Sequence, residues 1–176
     1  MKFTPTSIQG AFIVDVDPRN DERGSFNRVF CPDEFAKAGV DFASTQINLT
    51  RNPHAFTLRG MHFNASPHEE AKFVRCVRGR VFDVAVDIRP DSPTYRTWFG
   101  VELDDTAMRA FFIPAGCAHG YLTLQPDCDF LYQMSRCYTP GVDLGLRWND
   151  PAFAIAWPAA PQVVHPRDAG YADFVV

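Results

Sequence analysis

The chain has no apolar run long enough to cross a bilayer, which excludes a helical membrane protein. Residues 1–10 are polar and hold no apolar stretch of the kind a secretory signal needs, so no signal peptide is expected. Basic charge is not in excess: 17 Lys and Arg stand against 21 Asp and Glu, a net charge of −4 with no long basic run. A dedicated nucleic-acid binder is therefore set aside, and an anion site must come from a few placed Arg, Lys and His side chains. Cysteine is sparse, with five residues at 31, 76, 117, 128 and 137, an odd number and no C-x-x-C pair. They read as small buried residues in a reducing compartment rather than as disulfides or a zinc site, and point to a cytoplasmic protein. Helical periodicity is scarce too.

What the chain does have is 16 Phe, 14 Pro and 11 Gly, a composition of strands broken by turns. Its 176 residues are enough for one domain, 1–176, with a core of its own. Short runs at 8–15, 25–30, 45–50, 72–77, 81–88, 98–103, 109–113, 121–124 and 129–138 read as strands, giving an all-β barrel or sandwich. Hairpins are expected across Asp104-Asp105-Thr106 and after Leu124. One short helix is predicted over 31–39: Pro32 opens it, Asp33 and Glu34 follow at its positive end, and Gly39 stops it. The Pro- and Ala-rich tail, 148–168, is expected to wrap the surface.

The stretch Thr57-Leu58-Arg59-Gly60-Met61-His62-Phe63 gathers a cation, a glycine and a histidine within four positions of an otherwise apolar strand. A guanidinium fork suits phosphate or carboxylate oxygens, and an imidazole exchanges protons near neutral pH. Two readings stand side by side: a site for an anionic substrate whose chemistry moves protons, or a core histidine beside a surface salt bridge. Alternation puts Gln46 and Asn48 on one strand face, either lining a polar cavity or facing solvent. Tyr132 and Tyr138 share a face of the 129–138 run, as core or as the wall of a site. Asp21-Glu22-Arg23-Gly24 reads as a charged turn.

Several longer motifs occur in order: Leu58-Arg59-Gly60-Met61-His62; Lys72-Phe73-Val74-Arg75-Cys76-Val77 with Arg78-Gly79; Val81-Phe82-Asp83-Val84-Ala85-Val86-Asp87-Ile88-Arg89 with Ser92-Pro93; Ile113-Pro114 with Ala118-His119-Gly120; Phe130-Leu131-Tyr132; and Trp148-Asn149-Asp150-Pro151. Together they resemble the dTDP-4-dehydrorhamnose 3,5-epimerase family over nearly the whole chain. The resemblance implies a cupin (double-stranded β-helix, or jelly-roll) barrel with short peripheral helices, a homodimer, and a nucleotide-diphosphate 4-keto-6-deoxy sugar as substrate, with no metal or organic cofactor. It implies epimerisation next to the C4 ketone at C3, C5 or both, through an enolate. His62 would be the base, Asp168 its orienting carboxylate, Lys72 the partner of the enolate oxygen and Tyr132 the acid. Arg23, Arg59 and His119 would hold the diphosphate, and Gln46, Asn48 and Tyr138 would line the nucleotide and sugar pocket, with Phe26 and Arg28 near the base.

Some positions depart from the pattern. His62 is followed by Phe63-Asn64 where His-Tyr-Gln is common, and Glu69-Glu70-Ala71 replaces a more neutral run before Lys72. Arg28 stands where the resemblance commonly has a glutamate; a guanidinium only donates, so guanine or cytosine become candidates beside thymine. Rival readings are a metal-dependent cupin and a non-catalytic sugar-nucleotide-binding module. The first rests on Pro114-x-Gly116-x-x-His119 but meets Asn64 where a second histidine would be needed.

Overall fold

The computed structural model describes residues 1–175; Val176, the last residue of the expected domain, lies outside them. In chain order the strands are β1 (Lys2–Pro5), β2 (Phe12–Asp15), β3 (Arg19–Asp21) and β4 (Gly24–Phe26), followed by helix α1 (Pro32–Lys37). Then come β5 (Gln46–Asn52), β6 (Thr57–Asn64), β7 (Lys72–Arg78), β8 (Arg80–Asp87), β9 (Trp98–Asp104), β10 (Ala110–Ile113), β11 (Cys117–Thr123) and β12 (Cys128–Met134). Strands β13 (Asp143–Gly145) and β14 (Val163–Val164) and helix α2 (Pro166–Ala169) complete the chain.

One sheet runs β1-β2-β10-β7-β12-β5, and the other β13-β6-β11-β8-β9 with β14 added parallel to β6. From β5 to β8 the chain alternates between the sheets at every step, and again from β9 to β12, which winds a jelly roll. Its central core is shared between the sheets: Val74, Cys76, Phe111 and Phe130 from one meet Val81, Ala85, Leu103 and Tyr121 from the other. A second cluster forms where Phe35 of α1 covers Phe73 and Phe112 on the back of the first sheet. In the third, Leu146 and Phe153 of the tail, with Trp157 beside them, cover Met61, Val84 and Val86 on the back of the second. Both faces of β8 are thereby buried. Phe82, Val84 and Val86 face the tail, and Asp83 and Asp87, each 0% exposed, are turned the other way.

The helix at α1 and the wrapping tail agree with the sequence. The hairpins do not. β9 pairs with β8, whereas β10 pairs with β2 and β7, so the turn at 104–106 leads from one sheet to the other. Asp104 Oδ1 accepts from the backbone N–H groups of Thr106 and Ala107 (2.8 and 2.7 Å), a local turn that reverses the chain without pairing its arms. Likewise β11 pairs with β6 and β8, and β12 with β5 and β7. β12 ends at Met134, so Tyr138 lies beyond it rather than on its face. Among the described residues no helix is long and apolar enough to cross a membrane.

Candidate active site

The site begins with an irregularity in β6. His62 lies opposite His119 of β11, and Arg59 lies opposite Tyr121, so three steps along β6 match two along β11. This bulge turns Arg59 and His62 to the same side, although plain alternation would send them to opposite faces. Glycine is required at the crossing. A Cβ on Gly60, whose φ is +115°, would lie 2.6 Å from the Gly120 Cα and 2.7 Å from the His119 carbonyl oxygen. One on Gly120 would meet Met61 Sδ at 2.6 Å and the Arg59 oxygen at 2.8 Å. Gly60→Ala is expected to cost roughly 3 kcal/mol of stability, from overpacking against backbone plus an unfavourable φ, readable as a lower denaturant midpoint at unchanged slope. A cost below about 0.5 kcal/mol would contradict this close packing.

The bulge opens onto a cavity of about 610 Å³ lined by Arg59 and His62 of β6, Lys72 of β7, His119 and Tyr121 of β11, Tyr132 of β12, Thr50 of β5 and Asp168 of α2. Asp168 is buried; its Oδ1 lies 2.8 Å from His62 Nε2, and its Oδ2 accepts from the Gly60 N–H at 3.0 Å. Burial alone would raise this carboxyl, but the bonds from His62 and Gly60 outweigh it and hold Asp168 below the usual carboxylate range. Helix α2 is itself anchored: Arg167 bonds Asp143 of β13, and its Nε donates to the Tyr171 hydroxyl at 2.7 Å. His62 Nδ1 has no protein partner among the described residues, so the imidazole offers its second nitrogen to the cavity.

A second histidine–carboxylate pair stands beside the first. His119 Nε2 lies 2.7 Å from Oδ1 of Asp83, which is fully buried and whose carboxyl is pushed up by that burial. Arg59 Nε donates to Asn52 Oδ1 at 2.9 Å, and its terminal nitrogens form no hydrogen bond among the described residues. The Lys72 ammonium is paired with buried Glu70. Burial raises the phenol of Tyr132, with Arg59 pulling it down and Glu70 pushing it up. Tyr121 is pushed up to about 12 by burial and bonded to Thr50 at 2.8 Å. The cavity thus holds two fixed cations, an imidazole oriented by a carboxylate and a protonated phenol. Such a set can bind an anion, remove a proton and supply one.

Six of the expected site residues therefore share the cavity: Arg59, His62, Lys72, His119, Tyr132 and Asp168. Gln46 and Asn48 lie on the Thr50 side of β5 and form a chain, Gln46 Nε2 donating to Asn48 Oδ1 at 3.1 Å and Asn48 Nδ2 reaching Met134 Sδ at 3.0 Å. Gln46 Oε1 accepts from the Tyr138 N–H at 2.7 Å, and the Tyr138 ring is exposed. The remaining three are elsewhere in the chain. Arg23 is exposed in the β3–β4 turn, bonded to Asp21 at 3.1 Å, while Phe26 and Arg28 line a small separate hollow with Met1 and Glu34. Arg28 donates to Glu34 at 2.9 Å. The charged-turn reading of 21–24 matches this local geometry. Thr50, Tyr121 and Asp83 are site features that the sequence reading passed over, Asp83 being visible only as a charge interrupting an apolar run; Glu70 was marked as a departure but given no role. Among the described residues no three His, Cys, Asp or Glu side chains converge as metal ligands.

The family model described as dTDP-4-dehydrorhamnose 3,5-epimerase matches residues 5–175. A dTDP-4-dehydrorhamnose 3,5-epimerase of Methanothermobacter thermautotrophicus is 41% identical over 157 residues, 89% of this chain and 84% of that one. A dTDP-4-dehydrorhamnose 3-epimerase of Streptomyces niveus is 38% identical over 96% of this chain and 81% of its own. Among solved structures, a 3,5-epimerase from Legionella pneumophila in complex with dTDP-4-keto-L-rhamnose superposes with a TM-score of 0.90 at 36% identity, covering 97% of this chain and 90% of that one. The jelly roll described above is the cupin-like fold of these relatives.

Proposed function

Since the chain belongs to the dTDP-4-dehydrorhamnose 3,5-epimerase family, we propose that it epimerises a dTDP-linked 4-keto-6-deoxy sugar at C3 and C5. The observation that carries this reading is the His62–Asp168 pair in one cavity with Tyr132, Lys72 and Arg59. The C4 ketone acidifies the neighbouring C–H bonds, yet such protons remain weakly acidic and need both a base and a stabilised enolate. His62 takes the proton, and Asp168 compensates the imidazolium that forms. Electron density moves onto the C4 oxygen, where Lys72 offers N–H donors. Tyr132 returns a proton to the carbon from the opposite face, and exchange with solvent resets phenol and imidazole. Arg59 and His119 hold the diphosphate.

The base is assigned as thymine. It is the base of the dTDP sugars for which the relatives are named; Arg28, bonded to Glu34 through one nitrogen, does not by itself choose the base. The chain is further proposed to work in the cytoplasm, in keeping with its unpaired cysteines, as one catalytic domain in a homodimer. Support for pairing comes from β5, a sheet edge whose polar residues turn inward while Ile47 (60% exposed) and Leu49 (49%) face out.

Incubation with dTDP-4-keto-6-deoxyglucose in D2O, followed by NMR, tests the reaction. Deuterium is expected at both C3 and C5, with inversion at each. Exchange confined to C3 would make the chain a mono-epimerase like the Streptomyces niveus relative. Binding of the nucleotide with no exchange would leave the binding module.

A further inference from the structure

The geometry points to Glu70 as a positioning residue of this site, one that fixes the Lys72 ammonium on the cavity wall and keeps a negative charge beside Tyr132. The inference rests on the roles proposed above for those two residues. Glu70 and Lys72 are both buried, their side chains 4% and 10% exposed, and Glu70 Oε1 accepts from Lys72 Nζ. Glu70 stands two residues before Lys72, the first residue of β7, and its carboxylate turns to the Lys72 ammonium. Ala71 between them is pinned twice: its N–H donates to Ser135 Oγ at 2.8 Å, and its carbonyl accepts from the Ser135 N–H at 3.0 Å. The pair therefore stands on a fixed backbone.

The other carboxylate oxygen, Oε2, is buried without a hydrogen-bond partner. A buried carboxylate with a single partner is costly compared with a neutral side chain, so its presence here calls for a gain elsewhere. Two gains are available. An ammonium has three donors; with one held by Glu70, the other two are aimed rather than free to rotate. The charge also acts on Tyr132. Arg59 and His62 of β6, Lys72 of β7, His119 of β11 and Asp168 of α2 line the same cavity as that phenol, with Tyr121 a further buried phenol; after burial, the largest influence, it is Arg59 and Glu70 that shift it. Arg59 favours the phenolate and Glu70 opposes it, so Glu70 preserves the proton the acid must give.

The test compares the full-length wild type with Glu70→Gln, which keeps the shape and an acceptor for Lys72 but removes the charge, and with Glu70→Asp, which keeps the charge at one methylene less reach. Tyrosine labelled with 13C at Cζ gives a titration curve for Tyr132, assigned by its loss in Tyr132→Phe. In Glu70→Gln this curve is expected to move to lower pH, with the alkaline limb of kcat moving alongside it. Activity at that end should fall about tenfold while KM stays within about twofold. Glu70→Asp should fall between the two, and remains informative if Gln impairs folding. Superimposable Tyr132 titrations in all three proteins would overturn the proposal, as would a kcat loss in Glu70→Gln that is equal at every pH. The tyrosine titration needs no turnover. A wild type that exchanges no deuterium would refute the proposed reaction, whereas an unmoved titration would refute the role of Glu70.

Discussion

Asp168→Asn is expected to slow deuterium exchange at both carbons by about 10,000-fold while leaving the fold intact. The carboxylate accepts at both oxygens, from the Gly60 N–H on one side and at His62 Nε2 on the other. That arrangement places the imidazole proton on Nε2 and leaves the Nδ1 lone pair to the cavity. An asparagine can keep the Gly60 bond only by giving it the carbonyl oxygen, which turns its NH2 towards Nε2. A donor there demands a lone pair on Nε2, so the ring proton moves to Nδ1 and the base is blocked. The negative charge that compensates the imidazolium is lost as well. Nitrogen-15 shifts of His62 report the tautomer without any turnover. They should exchange their assignments between Nδ1 and Nε2 in the variant. Exchange slowed by less than about tenfold, with the tautomer reversed, would sink the assignment of His62 as the base. The same two bonds depress the Asp168 carboxyl, so its contribution to stability is present above the ordinary Asp range and lost as pH falls through the lowered value.

Much of this constellation could be read from the chain before any coordinates. Most of its strand runs and the short helix at α1 rest on local chemistry, and local chemistry was enough for them, although the 25–30 run ends at Phe26 and the 129–138 run at Met134. What escaped was non-local. Turn residues at 104–106 and after Leu124 say that the chain reverses, but not which sheet it enters next. In a jelly roll the answer is usually the opposite one. Strict alternation would also have separated Arg59 from His62, and only the bulge around Gly60 brings them together. Asp168 sits in a tail without periodicity, so its role came from resemblance; the reason it reaches His62 is that β14 joins β6 and carries α2 into place.

Inverted patterning is the clearest sequence mark of the cavity. In β5 the polar Gln46, Asn48 and Thr50 turn inward and the apolar Ile47 and Leu49 face out, the reverse of a strand on a dry core. In β8 the acids Asp83 and Asp87 are as fully buried as the apolar residues beside them, and one of them, Asp83, holds His119. Alternation alone gives the period but not the sign. A strand whose polar face is the inner one needs something polar to meet, and here that is the cavity with its histidines, phenols and cations.

Tyr132→Phe is expected to lower the rate of inversion by about 1,000-fold while leaving deuterium wash-in far less affected. The two processes separate because they use different faces of the carbon. His62 can remove a proton, exchange it with solvent and return a deuteron to the face it came from, so label enters with configuration retained. Inversion requires delivery from the other face, and a phenylalanine has no proton to give. Removing the hydroxyl leaves the ring and hence the packing against Phe130, so the loss should appear in kcat with KM little changed. The wild-type phenol suits this task because burial, the largest influence on it, keeps it protonated to higher pH than a free tyrosine. Inversion should accordingly persist into alkaline solution and fail only as the raised phenol ionises. Product analysis by NMR distinguishes the cases directly. Deuterated sugar of unchanged configuration accumulating with the variant would support Tyr132 as the acid, and inverted product formed at near wild-type rate would move that role to another residue of the cavity.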